Sequence, residues 1–327
     1  MDADTPHRTP RVVQLRDAGG GSARAELLAG LAATRATIAP KFFYDALGSR
    51  LFAAITELDE YYPTRTEAAI FATHLEAMAR AFGVERATLI DLGAGNCEKA
   101  ARLFDAFGPE RYVAVDISAA FLLEALHCLQ RQFPRMDLLG VGTDFSSQLQ
   151  LPPELPRERR LVFYPGSSIG NFTPERALRF LLQVSNELET DGGLLIGVDL
   201  VKDAATLEAA YDDALGVTAA FNLNVLLHAN RLAGTDFRLP EWGHLARFDA
   251  RESRIEMHLA ARRPVTVGCQ DFERRFAEGE TIHTENSYKY TVENFAALLK
   301  QAGFAVTQVW TDSRRWFGVF LAKPATR

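Results

Sequence analysis

The sequence predicts an α/β fold, a doubly wound Rossmann-like sheet into which a second, α+β unit is inserted. Three observations carry this expectation. From Thr88 to Asp199 short apolar runs alternate with amphipathic helical stretches at the spacing of βαβ units. After Asp199 the alternation stops for a block far too long to be a loop. The first apolar run ends in Leu92-Gly93-Ala94-Gly95, a glycine turn leading into a helix, as at the nucleotide-binding end of such sheets.

Taken in order, residues 1–22 carry Pro6 and Pro10 among polar neighbours and end in Gly19-Gly20-Gly21-Ser22, so they read as a flexible tail. A helical pattern runs from Ala23 to about Thr37. Pro40 breaks it, and Phe42, Phe43 and Tyr44 introduce a short helix at about Leu51 to Leu58. The next helix follows Thr64, which with Glu67 has the spacing of a capping box, and ends near Ala81 ahead of Gly83. Strands are expected at Thr88–Leu92, Tyr112–Asp116, Asp137–Val141, Arg160–Tyr164 and Leu194–Asp199, with helices near Glu98–Phe107, Ala119–Phe133 and Pro174–Thr190. In the inserted block, Ala204 to about Ala229 reads as two helices, and Leu245 to Arg262 with Val265 to Val267 as antiparallel strands. A helix from Val292 to Gln301, capped by Thr291 and ended by Gly303, leads to a closing hairpin, Ala305–Trp310 and Trp316–Ala322, on the sheet edge. The expected organisation is a sheet domain of 64–199 plus 288–327 and a second domain of 23–63 plus 200–287. Ligands should collect at the carboxyl ends of the strands, where strand order reverses.

The 327 residues, 47% apolar and 24% charged, suffice for one large core or two smaller ones. Thirty-six basic against 42 acidic side chains give a net charge of −6, which is not the footprint of a nucleic-acid or anionic-membrane binder. A small-molecule partner is expected. No stretch approaches the roughly 20 apolar residues of a membrane span, and the N-terminus lacks the apolar core of a signal peptide, so a cytoplasmic protein is expected; a monomer is expected separately. Cys97, Cys128 and Cys269 are odd in number and include no Cys-x-x-Cys pair; reduced thiols follow, with no disulfide framework and no metal site expected.

The turn after Leu89-Ile90-Asp91 offers backbone amides at a helix N-terminus, with Gly93 and Gly95 allowing close approach of a ligand. Asp116 ends the next strand, 21 positions after Gly95, where a carboxylate can accept from both ribose hydroxyls of an adenosine. Asp144 and Phe145 follow the third strand, suited to accept from an adenine amino group and to pack on its ring. A dinucleotide fold wants glycine where Glu98 stands, and a carboxylate there repels pyrophosphate. Asp91 and Glu98 suit a ligand carrying a sulfonium and an ammonium, which is S-adenosylmethionine.

Eight segments then carry a specific likeness: Lys41–Ser49 (KFFYDALGS), Glu60–Glu67 (EYYPTRTE), Asp91–Lys99 (DLGAGNCEK), Pro165–Pro174 (PGSSIGNFTP), Asp199–Asp203 (DLVKD), Tyr211–Leu226 (YDDALGVTAAFNLNVL), Arg254–Met257 (RIEM) and Thr284–Lys289 (TENSYK). From about Pro40 to its end the chain resembles the histidine-specific Nα-methyltransferases of ergothioneine biosynthesis, class I S-adenosylmethionine-dependent enzymes that trimethylate L-histidine to hercynine. The resemblance implies roles. Asn171 matches the asparagine that holds the substrate amine and carboxylate beside the transferable methyl, and Tyr44 matches a pocket tyrosine at the reacting centre. Tyr211 matches the tyrosine that helps bind the carboxylate, and Tyr61 a further substrate tyrosine. Glu285 and Ser287 match the pair that recognises imidazole; two apart on an extended segment, they face one side and can satisfy both ring nitrogens. Met257 matches a side chain against the ring, and Gly93 and Lys99 match the cofactor loop. Aromatic faces such as Tyr44 or Tyr61 would favour the quaternary ammonium product, and no general base stands out. Three readings stay open beside this one: an N-methyltransferase of another amino acid or amine, one acting on a modified histidine as in ovothiol synthases, or a cofactor-binding module without catalysis. The chain has no sulfoxide synthase region, which implies a stand-alone methyltransferase.

Overall fold

The computed structural model describes residues 8–15 and 23–325, apart from 118, 147 and 271. In chain order its elements are β1 (Arg11–Gln14), α1 (Ala23–Ala32), α2 (Ala46–Thr56), α3 (Tyr62–Phe82), β2 (Thr88–Leu92), α4 (Glu98–Ala101), α5 (Phe104–Phe107), β3 (Arg111–Asp116), α6 (Ala119–Gln132), β4 (Asp137–Gly142), β5 (Arg160–Tyr164), α7 (Pro174–Asn186) and β6 (Gly193–Asp199). There follow α8 (Ala204–Ala209), α9 (Val217–Ala233), β7 (Trp242–Asp249), β8 (Arg254–Ala261), β9 (Val265–Cys269), β10 (Phe272–Phe276), β11 (Thr281–Tyr288), α10 (Val292–Gln301), β12 (Phe304–Thr311) and β13 (Phe317–Pro324).

The main sheet has the order β1-β4-β3-β2-β5-β6-β13-β12. Its strands run parallel except β13, which pairs antiparallel with both β6 and β12. Because the strands are covered on both faces, alternate residues serve different cores. Ile90, Leu92, Val113 and Val115 pack with α7 and α10 on one face. Leu89, Tyr112 and Ala114 pack with Met78 and Phe82 of α3 and Leu122 and Leu126 of α6 on the other. Strand order reverses between β2 and β5, so the carboxyl ends of these two strands form the expected crevice. A third core joins α1, α2 and α9 to the three-stranded antiparallel sheet β11-β8-β7, through Phe221, Val225, Trp242, Met257, Leu259 and Ile282. The doubly wound sheet with an additional α+β element set is therefore present, and the closing hairpin lies on the edge as expected.

Several expectations are corrected. Within the stretch read as a flexible tail, Arg11–Gln14 is a strand parallel to β4. Its two valines look too few to order a segment, but β4 offers Gly140 and Gly142 beneath it: a Cβ on Gly140 would lie 2.9 Å from a Val12 methyl. Tail residues 1–7 and 16–22 lie outside the described residues. The first helix ends at Ala32, short of Thr37. The Thr64–Glu67 capping box does not form: α3 already starts at Tyr62, with Pro63 in its first turn, and Glu67 is buried against other elements. The helix expected over Glu98–Phe107 is interrupted between Ala101 and Phe104, and the insert contains an additional hairpin, β9–β10.

Candidate active site

The carboxyl ends of β2, β3, β4 and β5 bring the expected cofactor residues together. Gly93 and Gly95 have φ of +75° and +53°, the left-handed region that favours glycine. The amides of this turn are not offered to a ligand, however. Gly93 and Ala94 both donate to the Val115 carbonyl, and the Gly95 amide donates to the Asp116 carboxylate at 3.1 Å. A loop whose 93–95 amides are spent on its own fold is a poor anion cradle. Asp91 is fully buried below the loop; Oδ2 accepts from the Tyr112 hydroxyl at 2.8 Å, and Oδ1 has no hydrogen-bond partner among the described residues. Burial pushes this carboxyl up to about 7. Glu98, by contrast, is exposed.

Phe145 lies over the glycine turn, since a Cβ on Gly93 would come 3.7 Å from its ring, and it leans on Tyr164 and Phe180. Asp144 accepts from Ser146 and from Lys41 Nζ at 2.8 Å, and Lys41 also reaches Glu26 at 2.7 Å. That ties the segment before α2 to the carboxylate that follows β4, a contact that sequence spacing does not reveal. Lys99 does not stand free in the cofactor loop either. Its Nζ sits 2.9 Å from Glu67 Oε2, while Glu67 Oε1 accepts the Gly166 amide at 2.7 Å. Glu67 thus joins the loop after β2 to the loop after β5.

That second loop carries Asn171. Gly166 and Ser167 both have positive φ, and the non-glycine Ser167 is held there because its Oγ accepts the Asp199 amide at 2.8 Å. A short 3-10 turn, Ser168–Asn171, follows. Gly170 is required in it: a Cβ would lie 2.9 Å from the Tyr288 carbonyl, so the turn meets β11 backbone to backbone. No hydrogen bond of the Asn171 side chain occurs among the described residues, which leaves its amide for a ligand.

Asn171 opens onto a cleft whose walls include Tyr44, Tyr61, Tyr211, Met257, Glu285 and Ser287, so every expected substrate residue lines one cavity. Phe52 and Phe221 complete an aromatic wall, with Tyr44 edge-on to both and Tyr61 edge-on to Phe52 and Tyr211. Tyr44 is aimed by its neighbour Asp45, which caps α2 through the Gly48 amide and takes a hydrogen bond from Asn224 of α9. Glu285 is 8% exposed, and burial pushes its carboxyl up to about 7 although Lys289 pulls the other way.

Behind Ser287 lies a network that sequence reasoning missed. The Tyr211 hydroxyl donates to Ser287 Oγ at 2.7 Å. Lys289 Nζ donates to Ser287 Oγ at 2.8 Å, to the Tyr211 hydroxyl at 3.1 Å and to Asp199 Oδ2 at 2.7 Å. Asp199 also takes Lys202 at 2.6 Å and the Tyr62 hydroxyl. Burial works against the Asp199 charge, but the two ammonium groups hold its carboxyl below the usual range. The available signal was that Lys289 stands two residues beyond Ser287, on the same side of an extended segment. A separate group, Glu256, His258 and His283, has the spacing of metal ligands, but it lies on the far face of β8 and its carboxylate is taken by Arg247 and Arg254.

The donor set fits the expected cofactor: an acidic, amide-poor crevice with a glycine turn under an aromatic ring and an orphaned carboxylate oxygen suits a cationic adenosyl ligand better than a phosphate. Comparison with known proteins agrees. Residues 23–324 match the model of the family described as histidine-specific methyltransferase, SAM-dependent. The chain is 42% identical to a histidine N-alpha-methyltransferase of Mycolicibacterium smegmatis over 94% of this chain and 96% of that one. It is 41% identical to the enzyme of that name from Mycobacterium tuberculosis, with the same coverage. An N-methyltransferase of Aspergillus flavus is 30% identical over 90% of this chain and 82% of its own. With a crevice of this chemistry and a family match over nearly its whole length, the chain belongs to the S-adenosylmethionine-dependent histidine-specific methyltransferases.

Proposed function

We propose that this enzyme transfers three methyl groups in succession to the α-amine of L-histidine, yielding hercynine, the betaine precursor of ergothioneine. The observation that carries the reading is the lining of one cleft by Asn171, three tyrosines, Met257, Glu285 and Ser287. S-adenosylmethionine supplies an electrophilic methyl on a sulfonium. Asp91, Gly93, Gly95, Lys99, Asp116, Asp144 and Phe145 are the residues proposed to hold it, Lys99 through its tie to Glu67.

The protein's part is alignment, because an in-line displacement with a good leaving group needs a deprotonated amine held at attack distance. Asn171 binds the amine and carboxylate of histidine, with Tyr61 and Tyr211 on the carboxylate. Burial among aromatic rings favours the neutral amine over the ammonium. As methyls accumulate, the amine becomes bulkier and finally cationic, and the faces of Tyr44 and Tyr61 then stabilise it by cation–π attraction. Glu285 accepts from one imidazole nitrogen and Ser287 hydrogen-bonds the other. Helices α1 and α2 with the block 200–287 act as the substrate-recognition domain, and 64–199 with 288–327 as the methyltransferase domain. No helix among the described residues is long and apolar enough to cross a membrane; a cytoplasmic monomer is proposed.

The test is mass spectrometry of the purified protein with S-adenosylmethionine and all twenty amino acids in one vessel. A gain of three methyl groups confined to histidine is expected. Methylation of a different amino acid, or histidine turnover surviving Glu285→Ala, would overturn the specificity assignment.

A further inference from the structure

We infer that Lys289 is a positioning residue that makes Ser287 a donor-only contact, so that the pocket takes the neutral imidazole of its substrate and rejects the imidazolium. This rests on the assignment of Glu285 and Ser287 to the imidazole.

The argument is a count of protons. An ammonium has three donors and no acceptor, and those of Lys289 go to Asp199, Ser287 and Tyr211. The side chain is wholly buried. Burial opposes its charge, but Asp199 raises its pKa above the usual lysine range, so the ammonium persists at every pH of interest. Between the two hydroxyls, 2.7 Å apart, lies one hydrogen. A phenol is the more acidic donor and the poorer acceptor, so that hydrogen comes from Tyr211. Ser287 Oγ therefore accepts twice, from Lys289 and from Tyr211, and both its lone pairs are engaged. Its own proton is the one left over, and the cleft is what remains for it to face.

The charges around this hydroxyl act in the same sense. Behind it stand Lys289 and Lys202 against the single carboxylate of Asp199, with the Tyr62 hydroxyl between them. Ahead of it on β11 is Glu285, and the Tyr44 and Tyr61 phenols line the wall. A neutral imidazole has one N–H and one lone pair, which match one carboxylate acceptor and one hydroxyl donor. An imidazolium has two N–H groups, of which one would meet the Ser287 proton with a surplus of positive charge behind it.

The experiment is calorimetric binding of L-histidine and of ring-fluorinated L-histidine between pH 5 and 8. The fluorinated ring stays neutral across this range, so titration of Glu285 cancels in the ratio of the two dissociation constants. For the wild-type enzyme the ratio of the histidine to the fluorohistidine constant should rise about tenfold per pH unit below the pKa of free histidine's ring. In Lys289→Met, whose Ser287 regains a free lone pair and can rotate to accept, the ratio should stay within about twofold throughout. If Lys289→Met does not fold with Asp199 left short of a partner, Lys289→Met/Asp199→Asn/Lys202→Met removes all three charges behind Ser287 and should flatten the ratio equally. A wild-type ratio independent of pH, or a variant that keeps the wild-type slope, overturns the inference. Absence of L-histidine binding to the wild type at pH 8 would overturn instead the pocket assignment on which it stands.

Discussion

Glu285 should make the fold less stable at the pH where it makes the enzyme work. Its carboxyl is pushed from 4.5 up to about 7, chiefly by burial. An acid whose pKa is higher in the folded than in the unfolded chain contributes stability that is complete below the unfolded value and lost as pH rises through the folded one. A difference of that size corresponds to at most about 3 kcal/mol. Glu285→Gln keeps the shape and removes the titration. Its amide N–H groups then lack partners, which costs about 1 kcal/mol. The variant is expected to be more stable than the wild type by about 1–2 kcal/mol at pH 8, with the advantage gone at pH 5. Urea unfolding at pH 5, 6, 7 and 8 measures this directly. The same variant loses a charge-assisted hydrogen bond to imidazole, about 1.5–3 kcal/mol, so kcat/KM for histidine should fall by roughly ten- to a hundredfold at pH 8. A stability difference between the two proteins that does not change from pH 5 to pH 8 would refute the argument, because the cost of the buried charge would then be absent.

Glu67→Ala should destabilise the protein by about 2–4 kcal/mol in urea unfolding, because it orphans the Gly166 amide and removes an ion pair whose Lys99 partner is 43% exposed and can be hydrated. Glu67→Gln, which keeps an acceptor for Gly166, should cost less than half as much. Gly197→Ala should lose about 1–3 kcal/mol by overpacking, since its Cβ would lie 2.1 Å from Glu67 Oε1 and 3.0 Å from Phe317; an unchanged melting curve would show that β6 has room there. Asn171→Ala should leave stability within about 0.5 kcal/mol, as its side chain has no hydrogen bond to lose among the described residues, while methyl transfer to histidine drops by about a hundredfold in a single-turnover assay.

The strands Thr88–Leu92 and Arg160–Tyr164 were legible to the residue because both are central and covered on both faces, so each reads as a short, mostly apolar run. The helix Val292–Gln301 was legible from its local chemistry: Thr291 accepts the Asn294 amide as a cap should. Features that depend on a partner distant in sequence were not. Arg11–Gln14 is a strand only because glycines in β4 make room for Val12 and Gln14. Glu67 has the spacing of a capping residue, and only the fold shows that its two oxygens are taken by Gly166 and Lys99. Likewise the glycine turn advertises free amides, whereas the neighbouring strand's Val115 carbonyl and Asp116 carboxylate consume them. The composition of the cleft was legible through resemblance, but its wiring was not, because Lys289, Lys202 and Tyr62 act behind the residues that line it and are tied together by Asp199, which does line it.

The decisive departure from simple alternation lies in β11. Ile282 pairs with Leu259 and Glu285 with Met257, so all four share the inner face of the three-stranded sheet, although Ile282 and Glu285 are three residues apart. A regular strand would send them to opposite faces. The register shift between His283 and Glu285 leaves Thr284 as the extra residue, and Thr284 is locked in place by hydrogen bonds to Asn222 of α9 and to the Met257 carbonyl. Asn222 is itself held by the His258 carbonyl and the His244 ring. The bulge therefore lets one strand do two things in sequence: before it, Ile282 seals the apolar core; after it, Glu285 and Ser287 face the cleft. If the same sequence ran as a regular strand, with Thr284 paired instead of bulged, the carboxylate and hydroxyl would share a face with His283 and His258, outside the pocket. The placement of Glu285 and Ser287 at the cleft thus depends on a buried threonine and asparagine that line no part of it.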